Sequence, residues 1–196
     1  IQPDIIVTRS PIPLNENQKS KLSLYCSIPK ENVIESLDVK NIYQIPINYY
    51  EQKMDEIVLK QFDLPLNKSN LKEWKKLVNI TNNLKNEVEI SLVGKYVELH
   101  DAYISVTESL KHAGYKYNTK IIINWIDSEK LEQSTNLEKI FKNSKGIIVP
   151  GGFGNRGIEG KILAINYART HDIPYLGLCL GMQLAVIEFA RNVCQI

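Results

Sequence analysis

The sequence predicts an α/β protein built on a doubly wound parallel sheet, and three observations lead to that class. From Val88 onward, short apolar runs rich in β-branched residues alternate with segments of helical periodicity. Two glycine-containing turns, GGFGNRG from Gly151 and LCLG from Leu178, follow directly on such runs. Loops at the carboxyl ends of parallel strands form the functional edge of an open sheet. We therefore expect both turns at one edge.

The first 66 residues are expected to form the end of one α/β unit. Residues 67–87, rich in Asn and Lys, read as a linker helix with apolar residues near helical spacing. The elements predicted for the first unit are strands at 4–8 and 21–28, a short helix at 29–37 and an amphipathic helix within 41–62.

Residues 88–196 are expected to form a second α/β unit. In the helix over 101–114, Asp101 is a candidate N-cap and Gly114 a candidate stop. The predicted strands are 88–95, 119–127, 146–150 and 174–178, and the other predicted helices are 134–144, 158–171 and 181–192.

Composition narrows the class of protein. A hydrophobic fraction of 43%, a charged fraction of 23% and a net charge of +2 are typical of a soluble globular protein without a nucleic-acid surface. No apolar run is long enough to cross a bilayer, so a cytoplasmic protein that does not bind membranes is expected. Cys26, Cys179 and Cys194 are too scattered for a disulfide framework or a metal knuckle, and each is interpreted as a separate thiol.

Cys179 is the first candidate for chemistry. It lies where a strand-like run turns into a helical pattern, between Gly177 and Gly181. A helix N-terminus favours a thiolate, and the glycines leave room for a tight turn, as in the Gly-x-Ser-x-Gly elbow of hydrolases. The alternative is a small buried apolar residue, which describes most intracellular cysteines.

The glycine loop that follows residues 146–150 is the second candidate. Its backbone N–H groups could hold an oxyanion opposite the attacking sulfur. The alternatives are a phosphate cradle and an ordinary turn. A dinucleotide site is disfavoured, because Gly-x-Gly-x-x-Gly would follow the first strand, and this loop differs in both spacing and place.

Several motifs together resemble the CTP synthase family of class I glutamine amidotransferases. They are LCLGMQ, PGGFGNRG, LVGKYVELHDAYISVTESLKHAG and AVIEFARNV, with PDIIVTRS, KLSLYCSIP and IYQIP earlier in the chain. The resemblance implies a flavodoxin-like class I glutaminase domain, incomplete, over 88–196. It implies the tail of a Rossmann-like synthetase, or amidoligase, domain over 1–66.

The resemblance also implies site residues. Cys179 would be the nucleophile that attacks the side-chain amide of glutamine, and Phe153 and Arg156 would belong to a lid associated with GTP activation. The implied glutamine-binding residues are Gly152, Leu180, Gly181, Met182 and Gln183, and the implied nucleotide-binding residues are Lys21, Leu37, Asp38 and Val39.

The family's substrates and effectors follow from the resemblance as expectations. They are glutamine, UTP and ATP with Mg²⁺, GTP as allosteric activator and CTP as feedback inhibitor, in a homotetramer. The sequence has no phosphate-binding Gly-x-x-x-x-Gly-Lys-Ser/Thr and no histidine after Cys179, so we expect a piece of a longer enzyme, without Mg²⁺ ligands and inactive alone. Two alternatives stay open: an elbow-cysteine flavodoxin-like protein of redox or chaperone type, and a noncatalytic assembly module.

Overall fold

The computed structural model describes residues 2–196, which divide into two compact units on either side of the Asn83–Leu84 bond. The first unit contains β1 (Ile6–Ser10), α1 (Glu16–Cys26), β2 (Val33–Leu37), α2 (Ile45–Glu51), α3 (Met54–Gln61) and α4 (Lys72–Asn82). The second contains β3 (Asn86–Gly94), α5 (Ile104–Lys116), β4 (Thr119–Asp127), α6 (Ser128–Glu132), α7 (Leu137–Phe141), β5 (Ile147–Val149), α8 (Ile158–Thr170), β6 (Tyr175–Gly177) and α9 (Leu180–Phe189).

In the first unit, β1 and β2 pair in parallel, with Ile6 opposite Val33 and Ser10 opposite Leu37. Parallel neighbours need a crossover, and α1 provides it. Val33 and Ile34 on β2 are buried and supply the core of this small sheet.

The strand predicted over 21–28 is wrong, because α1 occupies most of that range. The helix begins with a capping box in which the Asn15 side chain accepts from the Gln18 backbone N–H at 2.9 Å and the Gln18 side chain accepts from that of Asn15 at 2.8 Å. No residue of α1 is buried. A helix without a buried face does not need an apolar stripe of helical period, and the sequence shows none here. The capping box formed by Asn15 and Gln18 was the feature of the sequence that could have predicted this helix.

The helix predicted over 29–37 is also wrong. A single 3₁₀ turn, Lys30–Asn32, leads directly into β2. The helix expected within 41–62 is confirmed as two helices, α2 and α3, because Lys53 adopts a left-handed conformation (φ 59°) between them. The helix expected within 67–87 is α4.

The second unit has a four-stranded, fully parallel sheet in the order β4-β3-β5-β6. Numbered within this unit, that order is 2-1-3-4, as in flavodoxin-like sheets. All four predicted strands are confirmed. The pairing of Val149 with Gly177 aligns the ends of β5 and β6, so the loops that follow them leave the sheet side by side.

The core of this unit lies between the sheet and helices α6 to α9. Phe141 and Tyr167 stack there with ring centroids 4.9 Å apart. The buried apolar cluster consists of Val93, Ile126, Leu131, Phe141, Ile147, Val149, Ile162, Ala164, Ile165, Tyr167, Ala168 and Leu184.

The proposed ends of the helix over 101–114 are both corrected. Asp101 lies in a 3₁₀ turn, His100–Tyr103, and α5 begins only at Ile104 without a side-chain cap. Gly114 lies inside α5, where a Cβ would come within 2.4 Å of the Thr119 carbonyl oxygen. Close packing of α5 on the start of β4, and not helix termination, requires glycine there.

Among the helices of residues 2–196, none has both the length and the apolar character needed to cross a membrane.

Candidate active site

Cys179 occupies a strained turn between β6 and α9. Its backbone adopts φ 52° and ψ −106°, a conformation that side chains disfavour, and the residue is exposed. A strained residue on a strand-to-helix turn is often functional. Cys179 directly precedes α9, so its side chain belongs to the N-terminal end of that helix.

The two glycines of the elbow are required by space. A Cβ on Gly177 would lie 2.5 Å from the Met182 nitrogen, and one on Gly181 would lie 2.0 Å from the Val149 carbonyl oxygen. Real Cβ atoms do not approach backbone atoms so closely, so both positions exclude every larger residue unless the backbone moves.

Gly181→Ala is therefore expected to destabilise the protein by about 2 kcal/mol, the typical cost of overpacking. Gly154→Ala is the matched control, because a Cβ there meets nothing within 4 Å, and only its positive φ of 72° disfavours alanine. Urea unfolding of both variants checks this, and a Gly181→Ala protein as stable as Gly154→Ala would contradict the close approach.

Backbone and side-chain hydrogen bonds fix the elbow. The Leu178 N–H donates to the Val149 carbonyl oxygen at 2.9 Å, which ties the turn to β5. The Tyr175 hydroxyl donates to the Gly181 carbonyl oxygen at 2.7 Å. Burial raises the pKa of Tyr175, so the hydroxyl keeps its proton and continues to donate. No motif in the sequence around Tyr175 predicts this role.

The glycine loop, residues 151–157, lies beside the elbow. A Cβ on Gly151 would be 3.6 Å from the Cys179 Cβ, and one on Gly152 would be 3.7 Å from the Leu180 Cδ2. Leu180 is the first residue of α9, and the first N–H groups of a helix lack intrahelical acceptors. The structure thus brings together the cysteine, Gly152 and a helix N-terminus.

The residues predicted to bind glutamine lie together along the first turn of α9. Met182 and Gln183 are exposed, Leu180 is half-buried and Gly181 is buried against β5. Gly152 lies across from Leu180. This surface is open to solvent next to the thiol.

The tip of the glycine loop carries the two residues predicted for a lid. Phe153 is 91% exposed, and Arg156 pairs with Glu129 at 3.1 Å. Lys95 holds the same tip, because its Nζ donates to the carbonyl oxygens of Phe153 and Gly154. Sequence reasoning missed Lys95, although its position directly after a buried strand places it at the functional edge.

A second lysine lies behind the loop. Lys161 on α8 is fully buried, and a Cβ on Gly152 would be 3.3 Å from its Nζ. Burial lowers the pKa of Lys161, and the charge of Lys95 lowers it further. The sequence offered no sign of this burial, since a lysine in a helix is usually solvated.

Each of the three histidines contacts an aromatic ring, and for His112 this is Tyr115, with ring centroids 5.9 Å apart. His100 stacks on Trp125 with ring centroids 4.2 Å apart, and His171 stacks on Tyr167 at 3.9 Å. Over residues 2–196, no group of three or more His, Cys, Asp or Glu side chains is placed to hold a metal ion.

The nucleotide-binding residues predicted in the first unit are only partly together. Leu37, Asp38 and Val39 line one cavity of about 420 Å³ with Arg9, whose Nε lies 3.3 Å from the Asp38 Oδ1. Lys21 lies on α1 with an exposed side chain and is not among the residues that line this cavity.

The geometry of the second unit agrees with a family model. Residues 98–196, which include the glycine loop and the elbow, match the model of class-I glutamine amidotransferases. The chain belongs to the class-I glutamine amidotransferase family. The cysteine turn, the adjoining glycine loop and strands β4 to β6 all lie within the matched residues.

The first unit of this amidotransferase matches a different model. Residues 1–64 match the N-terminal model of CTP synthase. The protein is 55% identical to a CTP synthase of Caldanaerobacter subterraneus over 98% of the chain and 36% of that relative. It is 52% identical to a CTP synthase of Methanocaldococcus jannaschii over 99% of the chain and 37% of that relative. The chain thus spans little more than a third of these relatives.

Among solved structures, this amidotransferase is similar to the glutaminase domain of a Trypanosoma brucei CTPS with bound acivicin. The identity is 45%, the TM-score is 0.49, and the match covers 54% of this chain and 41% of the other.

Proposed function

We propose that this chain is part of a CTP synthase, an ATP-dependent ligase of pyrimidine nucleotide biosynthesis that aminates UTP with ammonia from glutamine. One observation carries the proposal: residues 1–64 match the CTP synthase N-terminal model, and the same chain continues into an amidotransferase elbow with an exposed cysteine. An amidotransferase domain alone is compatible with many acceptors. The first unit of the same chain, residues 1–64, supports UTP as the acceptor.

In this proposal, the Cys179 sulfur attacks the side-chain amide carbon of glutamine. The carbonyl oxygen becomes an oxyanion, which the N–H groups of Gly152 and Leu180 stabilise. Collapse of the tetrahedral intermediate breaks the C–N bond, releases ammonia and leaves a glutamyl thioester on Cys179, which water hydrolyses to glutamate. The surface formed by Leu180, Met182 and Gln183 positions the glutamine.

Departure of ammonia needs a proton, and no histidine follows Cys179 in this sequence to provide it. The 196-residue chain alone is therefore expected to form little or no CTP from UTP, ATP and glutamine. Formation of CTP by this chain would contradict that expectation.

The cavity formed by Leu37, Asp38 and Val39 is proposed to hold the adenine of ATP, and Lys21 to contact the pyrimidine nucleotide. Asp38 offers a carboxylate for the exocyclic amine, and the two apolar residues offer surface for the ring. Phe153 and Arg156 are proposed to respond to GTP, and CTP to act as inhibitor of a homotetramer. When bound, Mg²⁺ would neutralise the phosphates of ATP; no metal-binding group within residues 2–196 fits it.

Protection of Cys179 by glutamine tests the proposed substrate. The chain is alkylated with iodoacetamide in the presence of glutamine or asparagine, and each cysteine is quantified by peptide mass. We expect glutamine, and not asparagine, to slow alkylation of Cys179 while Cys26 and Cys194 react unchanged. Equal protection of all three cysteines, or none at Cys179, would contradict a glutamine site at the elbow.

A further inference from the structure

Lys161 presents a charged group that the proposed reaction does not use. It lies in the first half of α8 with no exposed surface, and among residues 2–196 its Nζ has no hydrogen-bond partner. A buried ammonium group has three donors and is costly to leave unpaired. A buried charge acts strongly on neighbouring polar groups, because the local dielectric constant is low.

The glycine loop lies next to Lys161. The Lys161 Nζ lies on the side of Gly152 where a Cβ would be, at 3.3 Å from that position. The Lys95 Nζ donates hydrogen bonds to the carbonyl groups of the next two loop residues, Phe153 and Gly154. Two ammonium groups therefore lie along the backbone of residues 152–154.

The elements packed against α8 carry other charged groups. They are Glu87 and Glu89 on β3, Lys95 just after it, Glu129, Lys130 and Glu132 on α6, and Glu188 on α9. Among these, Lys95 is the one that acts on the pKa of Lys161. Two of these carboxylates have other partners: Glu129 pairs with Arg156, and Glu188 with Arg169.

We propose that Lys161 is a positioning residue for the glycine loop: its ammonium group draws the carbonyl groups flanking Gly152 inward and so turns the Gly152 N–H toward Cys179. The C=O and N–H of one peptide point in opposite directions, so a cation on one side of the loop orients donors on the other. The role in catalysis rests on the proposed glutamine hydrolysis, whereas the effect on the loop does not.

The charge state of Lys161 gives this role a pH dependence. Its pKa in the folded protein is lowered, so the ammonium form is present at low pH and is lost as the pH rises through that lowered pKa. We expect the loop to loosen over that range. Burial of the charged ammonium group also lowers the free energy of unfolding at pH values where Lys161 is protonated in both the folded and the unfolded state. We therefore expect Lys161→Met to be at least as stable as the wild type.

Hydrogen exchange of residues 151–157 tests the proposal in the whole 196-residue chain. Lys161→Met is nearly isosteric and is expected to speed exchange of the loop by about fivefold, because the electrostatic attraction between the ammonium group and the loop carbonyl groups is lost. Lys161→Arg is expected to restore protection, and Ile165→Met, on the same helix, to leave the loop unchanged. If the arginine variant does not fold, the pH dependence of exchange replaces it. The loop of the wild type should then lose protection at high pH, and the loop of Lys161→Met should not.

Loop exchange in Lys161→Met within roughly twofold of the wild type would overturn the proposal, as would a variant that is globally less stable. Labelling of each variant by a chloroketone analogue of glutamine is measured in parallel. Failure to label any variant would count against the glutamine site, while the exchange data would still decide the role of Lys161.

Discussion

Cys179→Gly is expected to make the protein about 1 kcal/mol more stable than Cys179→Ala, while both variants lose the reactive thiol. The backbone of Cys179 has φ 52° and ψ −106°, which glycine adopts without steric conflict and alanine does not. Relief of strain is worth about 1 to 3 kcal/mol, and part of it is offset by the greater freedom of glycine in the unfolded chain.

Comparison of the two variants isolates the backbone, because neither retains sulfur. Urea unfolding gives the free energies, and alkylation with iodoacetamide confirms that only Cys26 and Cys194 still react. A glycine variant no more stable than the alanine variant would mean that the elbow is not strained. The backbone at position 179 would then not favour glycine, and strain would no longer support a functional role for the cysteine side chain.

Glu188→Ala is expected to destabilise the protein by about 3 to 4 kcal/mol, the cost of breaking a buried ion pair. Glu188 on α9 is 1% exposed and accepts two hydrogen bonds from the Arg169 Nε, at 3.0 and 3.2 Å, and one from its Nη2, at 2.8 Å. Asn166 and Asn192 donate to the same carboxylate. The cluster joins α9, which begins at the elbow, to α8, which follows the glycine loop.

The matched control is Glu159→Ala, which breaks the exposed pair with Arg191 and should cost under about 1 kcal/mol. The pH dependence gives a second check. Hydrogen bonds from Arg169 and the two asparagines lower the pKa of Glu188 to about 2, against an ordinary value of 4.5.

Because the folded pKa is depressed, the stabilisation is present above about pH 4.5 and lost as the pH falls towards about 2. A shift of this size corresponds to at most about 3 kcal/mol, because the Arg169 side chain is 35% exposed and solvent screens the pair. Glu188→Gln should flatten the loss of stability over that range. An unchanged acid transition in Glu188→Gln would show that other carboxylates determine it.

The second unit was predictable because its signals are local. Each strand is a short apolar run, and the turn that carries Cys179 is marked by Gly177 and Gly181 within five residues. The parallel order then brings the two glycine turns to one edge without further information.

The first unit was assigned with two elements of the wrong type because its helix lacks a buried face. The run around Leu24 and Tyr25 suggested a strand, yet both side chains are exposed on α1, and the helix is specified by the cap at Asn15. Apolar residues predict a strand only where they pack.

The supporting residues of the site could not be predicted for a different reason. Lys95, Lys161 and Glu188 act on partners many positions away in the chain, and a charged residue in an isolated pattern is expected to be solvated. Only the fold shows that their charges are buried next to the loop and the elbow helix.

The most direct measurement of the central claim is the intact mass of the purified chain before and after incubation with a chloroketone analogue of glutamine, with the modified peptide mapped. The proposed site predicts one adduct, on Cys179, and none on Cys26 or Cys194. No adduct on Cys179, while iodoacetamide still reaches it, would contradict a glutamine site formed by this elbow and the glycine loop.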